Sequence, residues 1–251
     1  MPPTETGIIL LAGLIIFSGH FVKGVSGFGS ALFAVPLLML ILDAKFVIPV
    51  FLIFDFMSGA ILVIANWRSI HRQLLLLLLC GLLVGTSIGT WMLLSFGHEL
   101  LKRILGVLII GWSVVNIVQV GEKTRSNPAA GDNPNKLYWA PFSGFLGGAL
   151  GAMFSVNGPP IIIYLSGVIE RKQIFRATLY GIFFADACYK MVLFTANHLL
   201  NTQVLRFALL MAPFLVAGTF AGSWLQEFIN QEVFKKLVAF ILLVTGVILL
   251  L

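Results

Sequence analysis

The sequence predicts an all-α polytopic membrane protein of about ten helical segments, arranged as two inverted repeats of five that each begin with broken or re-entrant helices. The first observation is composition: 59% of residues are hydrophobic and 10% are charged, whereas soluble domains contain about 25% charged residues. The second is that charge-free runs such as residues 75–93 and 237–251 reach or approach the roughly 20 residues that cross a bilayer. The third is internal repetition.

One motif occurs twice. Residues 84–91 read VGTSIGTW and residues 217–224 read AGTFAGSW. The same offset places the basic pair at 102–103 on the basic pair at 235–236, so the match extends beyond the glycines. Membrane domains built from two repeats are typically transporters whose site lies between the repeats.

The elements follow in order along the chain. We expect apolar helices at about residues 7–22, 27–42, 46–65, 73–96, 103–120, 138–154, 158–169, 174–195, 204–226 and 234–251. No Lys or Arg precedes the first helix and further segments follow directly, which favours a retained helix over a cleaved signal. The stretch 121–137 is polar and rich in Pro, Gly and Asn, which is typical of a linker. The predicted domains are therefore a first membrane repeat (1–120), a cytoplasmic linker (121–137) and a second membrane repeat (138–251).

The loops predict an orientation. Five segments in each half is an odd number, so the second repeat enters the membrane from the opposite face. Apart from the intramembrane Lys190, the basic residues lie mostly in loops on one side; the other side has only Lys45, Lys102, Arg103 and Arg206. The positive-inside rule then predicts a multi-pass protein with a cytoplasmic linker and both termini outside. This orientation does not depend on whether the first two segments of each repeat span fully.

Each half contains a segment interrupted by Gly, Ser and Pro. Residues 19–36 read GHFVKGVSGFGSALFAVP and residues 144–160 read GFLGGALGAMFSVNGPP. A break at membrane depth is tolerated only where it lines a cavity or is buried in protein. The helix end after each break carries partial positive charge and N–H donors, which suit an anion. The expected substrate-binding residues are Lys23, Gly24, Ser26, Gly27, Gly29, Ser30, Ser155, Asn157, Gly158 and Pro159.

Close helix packing is the alternative explanation for the glycines, because Gly144, Gly147, Gly148 and Gly151 have the spacing that lets helices approach. Packing does not account for the clustering of Gly, Ser, Asn and Pro at equivalent places in both halves. We therefore favour a binding site at the paired breaks.

The segments from Gly24 to Pro36 and from Gly144 to Pro160 resemble the two glycine-rich signatures of the TauE/SafE sulfite exporter family (TSUP). The resemblance covers nearly the whole chain, since that family also has two homologous halves joined by a polar linker. It implies a secondary transporter that exports sulfite, sulfoacetate or a related organosulfur anion across the cell inner (plasma) membrane. Alternating access is our hypothesis for the mechanism. The glycine triplet of the family appears here as Gly27-Phe28-Gly29-Ser30 in the first half.

Three charged residues fall inside apolar segments: Asp55, Asp186 and Lys190. Each costs roughly 2.5–3.5 kcal/mol at the centre of a spanning helix, so each is expected to face the protein interior. Asp186 and Lys190 are four residues apart and can form an ion pair on one helix face. The functional alternative is that Asp186 takes up a proton or that Lys190 attracts the anion.

Other functions fit less well. The four histidines lack ligand spacing with Cys, Asp or Glu, and neither a nucleophile elbow nor a phosphate-binding loop occurs, so we expect no metal, no cofactor and no enzyme activity. The basic residues sit at segment ends, which predicts lipid and a small anion as partners and no nucleic acid; a homo-oligomer stays open. The alternatives within transport are a proton-coupled permease for another small anion or metabolite, and a passive anion channel.

Overall fold

The computed structural model describes residues 6–26, 29–119, 138–226, 228 and 231–251. Within these residues the chain forms ten α-helices and no β-strand. The helices are α1 (Thr6–Ser26), α2 (Ser30–Met39), α3 (Ala44–Asn66), α4 (Arg72–Ser95), α5 (His98–Gln119), α6 (Ala140–Phe154), α7 (Gly158–Ser166), α8 (Lys172–Ala196), α9 (Thr202–Leu225) and α10 (Gln231–Leu250). Each predicted segment corresponds to one helix, and the predicted linker 121–137 lies outside the described residues.

Five of these helices, α1, α3, α4, α8 and α9, are long and apolar enough to cross a membrane, by length and composition. Several of them expose large apolar side chains: Ile64, Leu209 and Phe220 are 79%, 75% and 74% exposed. Exposed apolar faces of this size are what contact with lipid requires. The prediction of an all-α polytopic membrane protein is confirmed.

The helices α2 and α7 are short, with ten and nine residues. At the helical rise they extend only about 15 Å, which is half of the roughly 30 Å hydrocarbon core. Helix α7 ends earlier than predicted, at Ser166, because the N–H groups of Gly167 and Val168 donate back to the carbonyls of Tyr164 and Leu165 (both 3.1 Å) and tighten the last turn.

Each short helix forms a hairpin with the helix before it. In the hairpin of α6 and α7, the Ser143 hydroxyl donates to the Pro160 carbonyl at 2.8 Å. In the hairpin of α1 and α2, a Cβ at Gly19 would lie 2.7 Å from the Cβ of Ala34, so the absent side chain lets the two helices approach. The second break is therefore the tip of a helical hairpin, and the first lies between two helices that pack as a hairpin.

The chain divides into two compact units, and each contains segments from both halves of the sequence. The first unit comprises Met1–Val47, Phe96–Ser126 and Arg206–Leu251; the second comprises Ile48–Ser95 and Asn127–Leu205. The helices α3 and α9 contribute residues to both units. The predicted repeats are therefore repeats of sequence, and they do not coincide with the compact units. Each unit contains helices from both repeats.

In the second unit, α4 and α6 pack backbone to backbone through glycines. A Cβ at Gly85 would overlap the carbonyl oxygen of Phe145, and one at Gly89 would overlap that of Ala149. Two glycines of α6 approach α4 in the same way. Because residue numbers rise together along the two helices, α4 and α6 run parallel.

The first unit contains the same arrangement in the other copy of the motif. On α9, a Cβ at Gly218 would overlap the carbonyl oxygen of Phe17, and one at Gly222 would overlap that of Phe21. Helices α9 and α1 are therefore also parallel. Each copy of the glycine motif accepts the first helix of the other half.

Helix α8 runs parallel to α4. The backbone N–H of His71 donates to the Thr178 hydroxyl at 3.0 Å, and the hydroxyls of Ser87 and Tyr189 are 2.8 Å apart. Between α4, α6, α7 and α8 lies a buried apolar core formed by Leu78, Leu82, Ala140, Ile161, Leu165, Leu179 and Ile182. The hairpin of α6 and α7 is thus packed on both α4 and α8.

Candidate functional site

The break between α6 and α7 begins with a residue in the left-handed conformation. Ser155 has a φ of 55°. Its backbone N–H donates to Gly151 O at 2.9 Å, and that of Val156 donates to Leu150 O at 3.4 Å, which satisfies carbonyls at the end of α6. The left-handed conformation costs an L-residue roughly 1–2 kcal/mol. The packing around the break therefore holds a strained residue in place.

The side chain of Ser155 is buried, and its hydroxyl has no hydrogen-bond partner within the described residues. Leaving a buried polar group unpaired costs about 1–3 kcal/mol. Backbone strain and an unpaired polar atom coincide at this one residue, and strained residues cluster at ligand sites. Ser155 is thus a candidate ligand contact on two grounds.

An ion pair lies beside the break. Lys190 Nζ is 2.9 Å from Asp186 Oδ2, and the two side chains are 2% and 0% exposed. The predicted pairing of these residues on one face of α8 is confirmed. Removing two charges from water is costly, and the loss is recovered only where further hydrogen bonds satisfy the pair.

Those further hydrogen bonds come from α4 and from the break. Thr86 donates to Asp186 Oδ1 at 2.7 Å, and Asn157 Nδ2 donates to Asp186 Oδ2 at 3.1 Å. Lys190 Nζ also donates to the Gly151 carbonyl at 3.3 Å, near the end of α6. We call this set the Asp186 cluster: Thr86, Asn157, Asp186, Lys190 and the Gly151 carbonyl.

Glycine makes the approach of these groups possible. A Cβ at Gly151 would lie 2.9 Å from the Cβ of Asn157 and 3.1 Å from Asp186 Oδ2, and one at Gly148 would lie 2.7 Å from Thr86 Oγ1. These contacts are shorter than ordinary van der Waals contacts. The glycines of α6 therefore serve packing and also admit polar side chains to the break.

The cluster lies deep within the second unit. Asp186 is near the middle of the 25-residue α8, and Thr86 is near the middle of the 24-residue α4. Both helices are candidate spans, so the cluster corresponds to the interior of the membrane. Near the break, the Ser155 hydroxyl, the Asn157 amide and the Lys190 ammonium are donors, which is the chemistry that an anion requires.

Helix α7 starts with Gly158, Pro159 and Pro160. Proline fits the first turn of a helix but has no N–H. Two of the four donors that normally point out of a helix start are therefore missing from α7. Side chains therefore supply a larger share of the donors at this break than at a helix start without prolines.

The first break shows a different construction. Gly29 is left-handed, with a φ of 92°, and its carbonyl accepts the N–H of Phe33 at 3.1 Å. Ser30 is the first residue of α2 and is buried. Lys23 lies in the last turn of α1 and is partly exposed. Ser26 ends α1, and Gly27 lies outside the described residues.

Two other predicted residues stand apart from these contacts. A Cβ at Gly24 would lie 2.6 Å from the Thr219 carbonyl oxygen and 2.8 Å from Gly222 Cα, which gives Gly24 a packing function between α1 and α9. Asp55 lies in α3 and is partly exposed. It is not among the hydrogen-bond or ion-pair partners of Asp186.

The sequence did not identify Thr86 or the Gly151 carbonyl as parts of the site. Thr86 belongs to the repeated motif, and a threonine in the middle of an apolar span is a usable signal. Its counterpart Thr219 donates only within its own helix, to Leu215 O at 2.9 Å. The repeated motif therefore identifies the threonine position, but it does not show that the threonine of the first copy binds a carboxylate.

Within the part of the chain that the structure describes, no group of three or more His, Cys, Asp or Glu side chains could hold a metal ion. Cys80 and Cys188 are both free.

Comparison with known proteins gives one match. Residues 10–249 match the family model described as sulfite exporter TauE/SafE. No curated protein and no solved structure matches the chain.

Proposed function

We propose that this chain, which belongs to the sulfite exporter TauE/SafE family and is a membrane transporter of that type, carries a small organosulfur anion out of the cell. The substrate class is sulfite, sulfoacetate or a similar sulfonate, and the mechanism is alternating access. The observation that supports this most is the broken hairpin of α6 and α7, with a strained Ser155 whose buried hydroxyl has no partner among the described residues.

The substrate binds at the two breaks. In the second half the contacts are Ser155, Asn157 and the start of α7 at Gly158 and Pro159, with Lys190 close by. In the first half they are Lys23, Ser26, Gly27, Gly29 and Ser30. Donors at both sites suit a sulfonate, because its oxygens are acceptors only.

The two halves act as inverted repeats, 1–120 and 138–251, joined by a cytoplasmic linker. Two packing directions support this: α4 is parallel to α6, and α9 is parallel to α1. One segment lies between α4 and α6, and seven lie between α1 and α9. Two helices separated by an odd number of crossings run in the same direction, so both packing directions agree with five segments in each half and with inverted repeats.

Export fits the membrane potential. With the cell interior at about −100 mV, a departing monoanion gains about 2.3 kcal/mol, enough for a gradient of roughly fifty-fold without a coupled ion. The orientation that goes with this has both termini outside the inner membrane. A tag at either terminus should react with an impermeant reagent on intact cells; cytoplasmic tags would overturn the orientation.

The test is flux from proteoliposomes loaded with sulfite, sulfoacetate or acetate. We expect fast efflux of the two sulfur anions and slow efflux of the carboxylate. Ser155→Ala should reduce efflux, whereas Ser166→Ala, at the exposed far end of α7, should not. Rates equal to those of protein-free liposomes would overturn the proposed function.

A further inference from the structure

Two donors, one on α8 and one at the break, converge on a single carboxylate oxygen. Asp186 Oδ2 accepts from Lys190 Nζ at 2.9 Å and from Asn157 Nδ2 at 3.1 Å. The other oxygen, Oδ1, accepts from Thr86 on α4 at 2.7 Å. One oxygen of the carboxylate is therefore anchored to α4, and the other binds Asn157 at the break and Lys190 beside it.

The donors at this break are few. Pro159 and Pro160 remove two N–H groups from the start of α7, which leaves the Ser155 hydroxyl, the Asn157 amide and the Lys190 ammonium as side-chain donors. Of these three, Asp186 binds two, and the third has no partner within the described residues. An anion that uses the side-chain donors of this break therefore meets two that Asp186 already binds.

We infer that Asp186 is an internal counter-anion that competes with the transported anion for Lys190 and Asn157. The inference rests on the proposed function. In the absence of substrate, Asp186 neutralises Lys190 and satisfies Asn157. When the anion binds, Oδ2 yields these donors to it, while the Thr86 hydroxyl keeps Oδ1 in place. Release is the reverse exchange.

This exchange solves two problems of a buried site. A lysine without a partner at membrane depth is unfavourable, and Asp186 prevents that state. A lysine that binds the anion without competition would hold it tightly and release it slowly, because the affinity of related complexes is set mostly by dissociation rates. Asp186 therefore lowers the affinity for the anion and raises the rate at which the anion is released.

The experiment measures sulfoacetate binding by calorimetry to the purified full-length chain, and sulfoacetate efflux from proteoliposomes. Asp186→Asn keeps the shape of the side chain and removes its charge. We expect it to tighten binding by about tenfold or more, since a close like charge is removed, and to slow efflux. Lys190→Gln should weaken binding by a similar factor. Asp43→Asn, in the loop between α2 and α3, is the matched control and should behave as wild type.

The double variant Asp186→Asn, Lys190→Gln covers the case in which a single variant fails to fold, because replacing both members of a buried pair is often tolerated. We expect it to bind weakly. Wild-type affinity in the double variant, or unchanged or weaker affinity in folded Asp186→Asn, would overturn the inference. So would efflux that merely loses its pH dependence in Asp186→Asn without tighter binding, which is the result for a proton carrier.

The two failures can be told apart. If wild type transports sulfoacetate and Asp186→Asn gains no affinity, only the competing role of Asp186 is wrong. If wild type neither binds nor transports sulfoacetate or sulfite, the proposed function is wrong, and the inference falls with it.

Discussion

The two breaks share a hairpin geometry but differ in how they are held. At the first break the left-handed residue is Gly29, which adopts that conformation without steric cost, and α2 begins with four residues that all keep their N–H groups. At the second break the left-handed residue is Ser155, two prolines follow, and a buried ion pair from α8 reaches the tip. The first break relies on backbone, the second on side chains.

The glycine motifs of the two halves, unlike the breaks, make the same contacts. The α4 glycines accept α6, and the α9 glycines accept α1, through the same kind of carbonyl contact. The frame of the duplicated molecule is therefore preserved while the polar groups within it have diverged. The frame thus packs alike in both halves, and the contacts that differ are the polar ones at the breaks.

The largest expected effect separates the lysines at the two breaks. Lys190→Met leaves Asp186 buried without its cation and should destabilise the protein by about 3–5 kcal/mol. Lys23→Met, at a partly exposed position, should change stability by less than about 1 kcal/mol. Thermal unfolding in detergent measures both. Equal losses of stability would contradict the difference between a buried, paired lysine at the second break and a partly exposed lysine at the first.

Next is the shared frame. Gly85→Ala and Gly218→Ala both place a Cβ on a backbone carbonyl, which cannot swing aside as a side chain can, and each should cost about 2–3 kcal/mol. Gly111→Ala is the control, since nothing lies within 4 Å of its Cβ position, and a helical alanine there should stabilise by up to about 1 kcal/mol. If only one of the two motif variants unfolds early, the halves do not share their packing.

The threonines of the two motifs give a smaller contrast. Thr86→Val removes a hydrogen bond to a carboxylate and should cost about 1.5–3 kcal/mol. Thr219→Val removes a bond to the backbone of its own helix, and that cost should stay below about 1 kcal/mol. Melting temperatures of the two variants provide the comparison. If Thr219→Val destabilises the protein more than Thr86→Val does, the assignment of the stronger hydrogen bond to Thr86 is wrong.

The smallest effects come from exchanging the left-handed residues. Gly29→Ala should destabilise by roughly 1–2 kcal/mol, and Ser155→Gly should relieve strain and stabilise by a similar amount. Sulfite efflux should nevertheless fall in Ser155→Gly, because the hydroxyl is lost. A variant that is both more stable and fully active would show that Ser155 makes no substrate contact.

Much of the fold follows from local sequence. Ten helices were predictable because apolar runs of membrane length are long-range signals that loops interrupt clearly. The break at 155–157 was predictable from Asn, Gly and two prolines in succession, and the ion pair on α8 from a spacing of four. The ends of α2 and α7 were less accurate, because the chain leaves these helices through turns whose apolar residues extend the pattern.

The Asp186 cluster was only partly predictable. Asn157, Asp186 and Lys190 were candidates by type and position. Their contact with Thr86 depends on the parallel packing of α4 and α8 and on the space that Gly148 and Gly151 leave for polar side chains. The periodicity of a sequence does not show which helices pack together. Gly24 shows the converse, since its sequence context indicated a binding site and its contacts indicate packing on α9.

The claim that an anion binds at both breaks is tested most directly by substrate protection. In a chain with Cys80 and Cys188 replaced by Ala, the variants Ser30→Cys and Ser155→Cys place one thiol at each break, both at positions that are 4% exposed; Gly97→Cys, in the open loop after α4, is the control. The measurement is the rate at which a thiol-alkylating reagent modifies each cysteine with and without sulfoacetate. The sulfonate of sulfoacetate does not react with such a reagent. The account predicts that sulfoacetate slows alkylation at both breaks and leaves Gly97→Cys unchanged. Equal rates with and without sulfoacetate at either break would contradict it.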